Sequence, residues 1–320
     1  MKKDYTNCRK VNVMEILKND AIIPSDYTAK DLKQIRLKNL DKVDTHLPDT
    51  IPYKIPAILH VVWVTNKNNP TEIEDKYLEM IENNLKLLTA NKSLNWQFNL
   101  WVNDISLIPH TTSTLSKIGF TVKHIEEEFR LIKEEQLYQK LCELTNEKYY
   151  ALVSNIIRYV ALEEYGGIYL DTDYELFKVP YKLMKTYDFV AGSINTNEHS
   201  LENNVIFTKP HHPIMRKILS LSKTNLLDQE NAPERIHHPC SFYDETVLLS
   251  GSPVLAPAFY SEADKDGNVD IIFDKKTMTD DWRFKIIATP PEDAYSEDYN
   301  STNLPLFGRD HYAGRWFEHS

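Results

Sequence analysis

Hydrophobic positions recur along this chain at two spacings, one typical of strands and one typical of helices. The apolar run at 58–64 predicts a buried strand, and the pattern at 71–88 predicts a helix behind it. Further strand candidates, most with helical patterns between them, occur at 97–102, 120–122, 168–170, 188–191, 204–207 and 284–288. Strands that alternate with helices predict an α/β fold with a mixed, mostly parallel central sheet flanked by helices.

The first 50 residues differ in character from the rest of the chain. They are polar and rich in Lys and Asp, with scattered Leu and Ile, which predicts short helices packed loosely outside the main core. Three prolines, Pro48, Pro52 and Pro56, then mark a boundary. We therefore expect a polar helical N-terminal extension over residues 1–50 and one large domain over residues 51–320.

Composition and charge exclude several classes of protein. A chain of 320 residues with 42% hydrophobic and 11% aromatic residues is globular and can bury a large core. The formal net charge of −10 argues against a nucleic-acid partner, because phosphates need a basic surface. Neither a signal peptide nor a transmembrane segment is evident in the apolar pattern. We expect a soluble, cytoplasmic protein, or one exported without a signal peptide.

The number and spacing of the cysteines and glycines exclude several kinds of site. Cys8, Cys142 and Cys240 are scattered, so we expect neither a zinc site nor a disulfide, as in a reducing compartment. The 8 glycines form neither a dinucleotide-binding turn nor a phosphate loop, which excludes NAD enzymes and NTPases that depend on such motifs. Zinc peptidases with His-Glu-x-x-His and serine hydrolases with Gly-x-Ser-x-Gly have no motif support either.

Residues 154–173 carry the strongest functional signal. The first part predicts a helix on which Ser154 and Arg158, four residues apart, share one face. Two adjacent glycines can end this helix, and residues 168–170 then suit a short buried strand. The segment is therefore expected to form a helix, a tight turn and a strand.

Two carboxylates follow that strand. Asp171 and Asp173 can point the same way in extended chain, at the strand end where α/β sheets commonly bind ligands. Their oxygens suit Mg²⁺ or Mn²⁺, and such an ion could hold a diphosphate. The Asp-x-Asp pattern alone is weak, since Asp264 and Asp266 repeat it in what we interpret as a solvated turn. The functional prediction therefore rests on the complete segment 154–173 and not on the Asp171 and Asp173 pair alone.

The complete segment 154–173 resembles the donor-binding region of glycosyltransferases that contain a sugar-binding Asp-x-Asp motif. This superfamily includes yeast mannosyltransferases, bacterial polysaccharide transferases and the large clostridial glucosylating toxins. The likeness rests on Ser-x-x-x-Arg followed by Gly-Gly-Ile-Tyr-Leu-Asp-x-Asp, and weaker matches extend it from about residue 55 to the C-terminus. It implies a GT-A fold, a catalytic domain over residues 51–320 and a nucleotide-sugar donor, with a UDP-sugar favoured.

The resemblance also implies roles for single residues. Asp173 is expected to coordinate Mn²⁺ or Mg²⁺, and Asp171 to hold the ribose or the metal through water. Arg158 is expected to bind the donor sugar or its phosphate, with a salt bridge to a helix glutamate such as Glu163 as the alternative. Tyr169 is expected near the ribose. The other residues of the expected donor site are Val62, Trp63, Ser154, Asn155, Asn203, Asn204 and Trp316.

Three groups of residues in the expected donor site lie outside segment 154–173. Residues 55–64 resemble the family's first strand, in which Trp63 would stack on the base of the nucleotide; a tryptophan of the core is the alternative. The pair Asn203 and Asn204 resembles an asparagine that reaches the donor sugar. Residues 311–316 form His-x-x-x-x-Trp and resemble a closing His-x-x-x-x-x-Trp motif that is one residue longer, in which Trp316 would cover the diphosphate as a lid.

One position departs from the family pattern. Asp normally follows the serine and binds sugar hydroxyls, whereas this chain has Asn155. Asparagine keeps an acceptor oxygen, gains an N–H donor and loses the charge. The donor sugar therefore cannot be taken over from the resemblance, although UDP-glucose and UDP-GlcNAc are favoured.

These patterns predict a metal-dependent retaining glycosyltransferase. We favour a protein side chain as acceptor, as for a secreted bacterial effector or toxin that enters a host cell. A bacterial enzyme that builds a polysaccharide or oligosaccharide is one alternative. A catalytically inactive sugar-nucleotide-binding module is another, and a metal-dependent phosphohydrolase would need more ligands than the sequence offers.

Overall fold

The computed structural model describes residues 5, 7–10, 12–44, 47–48, 50–90, 94–178, 181–193, 200–274, 280–281 and 307–311. The strands in this part are β1 (Ile58–Trp63), β2 (Gln97–Val102), β3 (Phe120–His124), β4 (Gly167–Leu170), β5 (Tyr174–Leu176), β6 (Phe189–Ser193), β7 (Leu201–Thr208), β8 (Asp270–Phe273), β9 (Asp280–Asp281) and β10 (Gly308–Asp310). The helices are α1 (Val13–Asn19), α2 (Ala29–Arg36), α3 (Asp75–Thr89), α4 (Pro109–Lys117), α5 (Ile125–Leu131), α6 (Glu135–Asn146), α7 (Tyr150–Tyr165), α8 (Tyr181–Thr186), α9 (Pro213–Leu227), α10 (Phe242–Ser250) and α11 (Ser252–Glu262).

Two sheets organise these elements. The larger one has the strand order β3-β2-β1-β4-β7-β6-β8. Strands β3, β2, β1 and β4 are parallel, β7 runs antiparallel to both of its neighbours, and β8 is parallel to β6. A small sheet has the order β5-β10-β9. The predicted α/β fold with a mixed, mostly parallel sheet is confirmed.

Hydrophobic side chains cover both faces of the larger sheet. On one face, Ile156 and Tyr159 of α7 belong to the same buried cluster as Val62 and Tyr169 of the strands. Alternate strand residues point the other way and meet the residues of α3 and α4. Helix α7 is buried along most of its length and contacts β1, β4 and β7. Its polar side chains are therefore held inside the protein at the sheet.

Some predicted elements differ from the observed ones. The strand predicted at 204–207 begins earlier, at Leu201, and the charged helical stretch before residue 150 forms two helices, α5 and α6. The strand predicted at 284–288 lies outside the described residues. The N-terminal extension does form the helices α1 and α2. The expectation that they pack loosely is wrong, because Leu17 and Leu32 are fully buried members of the main core.

A disulfide joins Cys8 to Cys240, whose Cα atoms are 4.5 Å apart. The prediction of no disulfide is therefore wrong, and the cysteines no longer argue for a reducing compartment. The same segment is held to its surroundings by a hydrogen bond from the Arg9 amide to the His238 carbonyl (3.0 Å). The third cysteine, Cys142, is exposed and forms no disulfide. Within the described residues, no helix is long and apolar enough to cross a membrane.

We predict that loss of the disulfide destabilises the protein. The bond spans 232 residues of sequence, so it strongly restricts the unfolded chain. Cys240→Ser should lower the free energy of unfolding by about 2–5 kcal/mol in urea titrations under oxidising conditions. Cys142→Ser is the matched control and should unfold like the wild type. Alkylation of the denatured, unreduced wild type should modify one thiol; modification of three would contradict the bond.

Candidate active site

A tight turn at two glycines reverses the chain between the end of α7 and the start of β4. Gly166 and Gly167 have φ values of +63° and +98°, which favour glycine. A Cβ atom on Gly167 would lie 2.4 Å from the carbonyl oxygen of Ile58, so no larger residue fits there. Arg158 lies about two turns before the end of α7 and Asp171 directly follows β4, so both lie roughly 10–13 Å from the turn. The turn therefore sets Arg158 beside Asp171.

Arg158 and Asp171 form a buried ion pair at the carboxyl end of β4. The distance from Arg158 Nη2 to Asp171 Oδ1 is 3.1 Å, and the Arg158 side chain is only 3% exposed. The Tyr169 hydroxyl donates to the same Asp171 oxygen at 2.6 Å, and the guanidinium lies 4.2 Å above the Tyr169 ring. The alternative partner of Arg158, Glu163, instead contacts His211 and Arg216. The alternative, a salt bridge between Arg158 and Glu163, is therefore not observed.

Burial and charge shift the pKa values in this group. Although 24% of its side chain is exposed, burial raises the pKa of Asp171 to about 6, against the effect of Arg158. Burial also raises the pKa of Tyr169 well above its usual value. Burial alone would lower the pKa of Arg158, but the combined effects of the nearby Asp171, Tyr169, Tyr159 and Asp173 outweigh it and the pKa is raised. At neutral pH the ion pair is therefore charged, and Tyr169 is a hydrogen-bond donor.

A bulge in β7 places two asparagines at the same site. Ala191 of β6 pairs with Ile206 and Gly192 pairs with Glu202, so residues 203–205 have no partner on β6. Such bulges redirect side chains. The Asn203 carbonyl accepts a hydrogen bond from Arg158 Nη1 at 2.5 Å. The Asn204 carbonyl accepts one from the Asp171 amide at 2.9 Å.

The small sheet adds C-terminal residues to the site. Asp310 of β10 pairs with Tyr174 of β5, and the His311 amide donates to the Asp173 carbonyl at 3.0 Å. Asn204 Nδ2 donates to Asp310 Oδ2 at 2.9 Å. Sequence reasoning missed Asp310, whose only signal was its position beside the His311 motif. Trp316 lies outside the described residues, so its role as a lid stays a prediction.

The remaining predicted residues lie in two places. Ser154 is half-buried and bonds to Tyr169, whereas Asn155 is only 2% exposed and donates to Ser250 Oγ at 2.9 Å. On the neighbouring strand β1, the Val62 side chain is buried in the core. The half-buried indole of Trp63 donates to the Thr71 carbonyl at 2.7 Å. The structure thus brings the α7, β4 and β7 residues together and puts Trp63 at the end of the next strand.

The chemistry at the end of β4 fits a hard divalent cation. Asp171 and Asp173 supply carboxylate oxygens of the kind that Mg²⁺ and Mn²⁺ prefer. Asn204 Oδ1 is a buried acceptor without a hydrogen-bond partner among the described residues. These donors are not gathered as tightly as Glu163, Glu164 and His211, whose ligand atoms lie within 4.8 Å of one another. That second cluster adjoins Arg216, which contacts Glu163.

Comparison with known proteins agrees with this site. Residues 71–190 match the family model described as glycosyltransferase sugar-binding region containing DXD motif. The PaToxG glycosyltransferase has a similar structure, with a TM-score of 0.52, 19% identity and coverage of 73% of this chain and 78% of that chain. None of the curated protein sequences matches this chain.

Two further solved structures are similar at lower scores. The UDP-bound glycosyltransferase domain of the YGT toxin has a TM-score of 0.43 and 11% identity, over 69% of this chain and 79% of that one. The galactosyltransferase LgtC has a TM-score of 0.41 and 10% identity, over 82% of this chain and 94% of that one. The family match confirms the resemblance seen in the sequence. The match identifies residues 71–190 as a glycosyltransferase sugar-binding region, and the fold is of the GT-A type.

We predict that Gly167→Ala disrupts the turn that sets Arg158 beside Asp171. Gly119 is the matched control, because its φ is also positive (+105°) but a Cβ there meets nothing within 4 Å. Gly119→Ala should lower the free energy of unfolding by about 1–2 kcal/mol, from backbone strain alone. Gly167→Ala should lower it by about 2 kcal/mol more, because the new methyl group meets Ile58. Equal losses in urea titrations would contradict the steric account.

Proposed function

We propose that the protein is a metal-dependent, retaining glycosyltransferase that moves a hexose from a UDP-sugar to an acceptor. The observation that carries the proposal is the Arg158–Asp171 pair inside the matched sugar-binding region. The buried guanidinium of Arg158 lies at the strand end that carries the carboxylates of Asp171 and Asp173. This combination suits a ligand that has both a diphosphate and hydroxyl groups. UDP-glucose and UDP-GlcNAc are the favoured donors.

Each group in the site then has a chemical role. Asp173 would hold Mn²⁺ or Mg²⁺ directly, and Asp171 would hold it through water. When bound, the ion neutralises the leaving diphosphate. Arg158 Nε is buried without a hydrogen-bond partner among the described residues, so it can donate to the donor sugar or its phosphate. Because the guanidinium is already held in place, little energy is needed to reorient it during the reaction.

Retention of configuration follows from a front-side attack in this proposal. The bond between the anomeric carbon and the diphosphate breaks, and the acceptor oxygen bonds to the same face of the sugar. The acceptor proton passes to the leaving phosphate. Asp171 and Asp310, two of the carboxylates at the site, already accept hydrogen bonds from protein groups, which makes them poor nucleophiles.

The acceptor in this proposal is a protein side chain, as for a secreted effector exported without a signal peptide. This part rests on the resemblance of segment 154–173 to the glucosylating toxins. Synthesis of a polysaccharide or oligosaccharide is the second candidate, because the same superfamily contains such enzymes. The two differ in where labelled sugar appears, in protein or in free glycan.

The function is tested with a panel of UDP- and GDP-sugars in the presence of Mn²⁺ and a cell lysate. We expect turnover of a UDP-glucose-type donor, label in the protein fraction and retained configuration by NMR. Label in glycan alone would favour the second candidate, and inverted product would contradict the front-side attack. Tight donor binding without hydrolysis or transfer would identify an inactive binding module.

We predict that Asp173→Asn lowers turnover at least a hundredfold, because an amide oxygen is a poorer ligand than a carboxylate for a hard cation. Asp266→Asn is the matched control. Asp266 belongs to the second Asp-x-Asp pair, is exposed and lies in a left-handed turn that asparagine tolerates. The control should retain wild-type kcat/KM. Metal-independent, undiminished activity in Asp173→Asn would refute the assignment.

Mn²⁺ affinity should depend on pH through Asp171. The pKa of this carboxyl is raised to about 6, so a proton competes with the metal below that value. Affinity should therefore rise with pH through 6 and level off above 7. At pH 5 it should be about tenfold weaker than at pH 7.5, one pH unit being a factor of ten in ionised carboxylate. Titration of Mn²⁺ alone by electron paramagnetic resonance measures this, and equal affinities would contradict it.

A further inference from the structure

A closed ring of hydrogen bonds lies behind Arg158. The Tyr159 hydroxyl donates to the Ser250 carbonyl at 2.7 Å and accepts from Asn203 Nδ2 at 2.9 Å. The same Asn203 amide donates to Asn155 Oδ1 at 3.1 Å. Asn155 Nδ2 in turn donates to Ser250 Oγ at 2.9 Å. The ring therefore joins α7, the bulge of β7 and the end of α10.

The ring is buried and neutral. Tyr159 and Ser250 are fully buried, and Asn155 is only 2% exposed. Burial raises the pKa of Tyr159 to about 12, so its hydroxyl stays protonated at physiological pH. Each member has a defined direction of donation, and buried polar groups that satisfy one another hold a single arrangement. The ring can therefore fix the position of whatever is attached to it.

Asn203 attaches the ring to Arg158. Its carbonyl accepts from Arg158 Nη1 at 2.5 Å, yet it lies in the stretch of β7 that has no partner on β6. The β6 ladder therefore does not hold this carbonyl in place. The Asn203 side chain is instead held by Asn155 and Tyr159, on the helix that carries Arg158 itself.

We propose that Tyr159, Asn155 and Ser250 are positioning residues for Arg158, acting through Asn203. The inference rests on the proposed function, in which Arg158 binds the donor. It also changes the expected role of Asn155, whose amide contacts Ser250 and Asn203 at its two ends. Aspartate at this position would lack the N–H group that donates to Ser250. Recognition of the sugar hydroxyls then falls to Arg158, whose buried Nε has no hydrogen-bond partner within the described part of the chain.

Tyr159→Phe tests the inference, with Tyr187→Phe as the matched control. Tyr187 is also fully buried, and its hydroxyl also donates to a backbone carbonyl, that of Asn39, at 3.0 Å. Tyr159→Phe loses two buried hydrogen bonds, to Ser250 and from Asn203, and Tyr187→Phe loses the one to Asn39, so Tyr159→Phe should be the more destabilised of the two. Only Tyr159→Phe should lower kcat, by roughly tenfold to a hundredfold, with KM for the UDP-sugar within about threefold. A kcat equal to that of Tyr187→Phe would overturn the inference.

Asn155→Asp supplies an independent readout. We expect it to lower kcat like Tyr159→Phe, with the order of donor preference unchanged, because Asn155 acts through the ring. A new donor preference or a gain in kcat would show that residue 155 contacts the sugar, and would overturn the inference. Wild-type turnover in the same assays reports on the proposed function separately.

A crystal structure of Tyr159→Phe tests the positioning role of the ring without any measurement of activity. We expect Arg158 Nη1 to separate from the Asn203 carbonyl by more than the length of a hydrogen bond. Retention of the wild-type hydrogen bond of 2.5 Å would overturn the positioning role even if the wild type turned over none of the donors. If the wild type is inactive and Arg158 separates from Asn203 in the variant, the proposed function is refuted and the positioning role of the ring is supported.

Discussion

The buried ion pair between Arg158 and Asp171 is the interaction on which the site depends. Removing two charges from water costs several kcal/mol for each ion, and the cost is offset only by close pairing and further hydrogen bonds. Here Tyr169 donates to the carboxylate, and the Asn203 carbonyl accepts from the guanidinium. The pair thereby ties α7, β4 and β7 together at the end of the sheet where the matched sugar-binding region places its Asp-x-Asp motif.

Three features of the fold keep this pair in place. The turn at Gly166 and Gly167 sets how far α7 and β4 run alongside each other. The bulge of β7 turns Asn203 and Asn204 toward the site. The small sheet brings His311 from the far end of the sequence to the backbone of Asp173. A helix, an irregular strand and a C-terminal segment thus converge on one short stretch of chain.

Local patterns in the sequence predicted the parts of this site that lie close together in the chain. Helical spacing identified Arg158 on α7, and the Gly-Gly turn with its short strand identified Asp171 and Asp173. These features depend on neighbours a few residues away, so their physical cause is visible in the sequence. The α/β class followed from the same periodicities. Strand β7 was predicted too short because polar residues 202–204 interrupt its apolar pattern, whereas in the fold Leu201 and Glu202 pair with β6 beyond the bulge.

What the sequence did not reveal depends on long-range contacts. Cys8 and Cys240 are separated by 232 residues, and only the folded chain brings them together. The same holds for Asp310 beside Asn204 and for Asn155 beside Ser250. The scattered apolar residues of α1 and α2 resembled a loose extension, because their partners in α11 and β8 lie far along the chain.

A crystal structure with a UDP-sugar analogue and Mn²⁺ tests the central claim most directly. The account predicts the diphosphate at the carboxyl end of β4, with Asp173 on the metal and Arg158 on the sugar or phosphate. Nucleotide and metal bound instead at Glu163, Glu164 and His211, or away from both places, would contradict it.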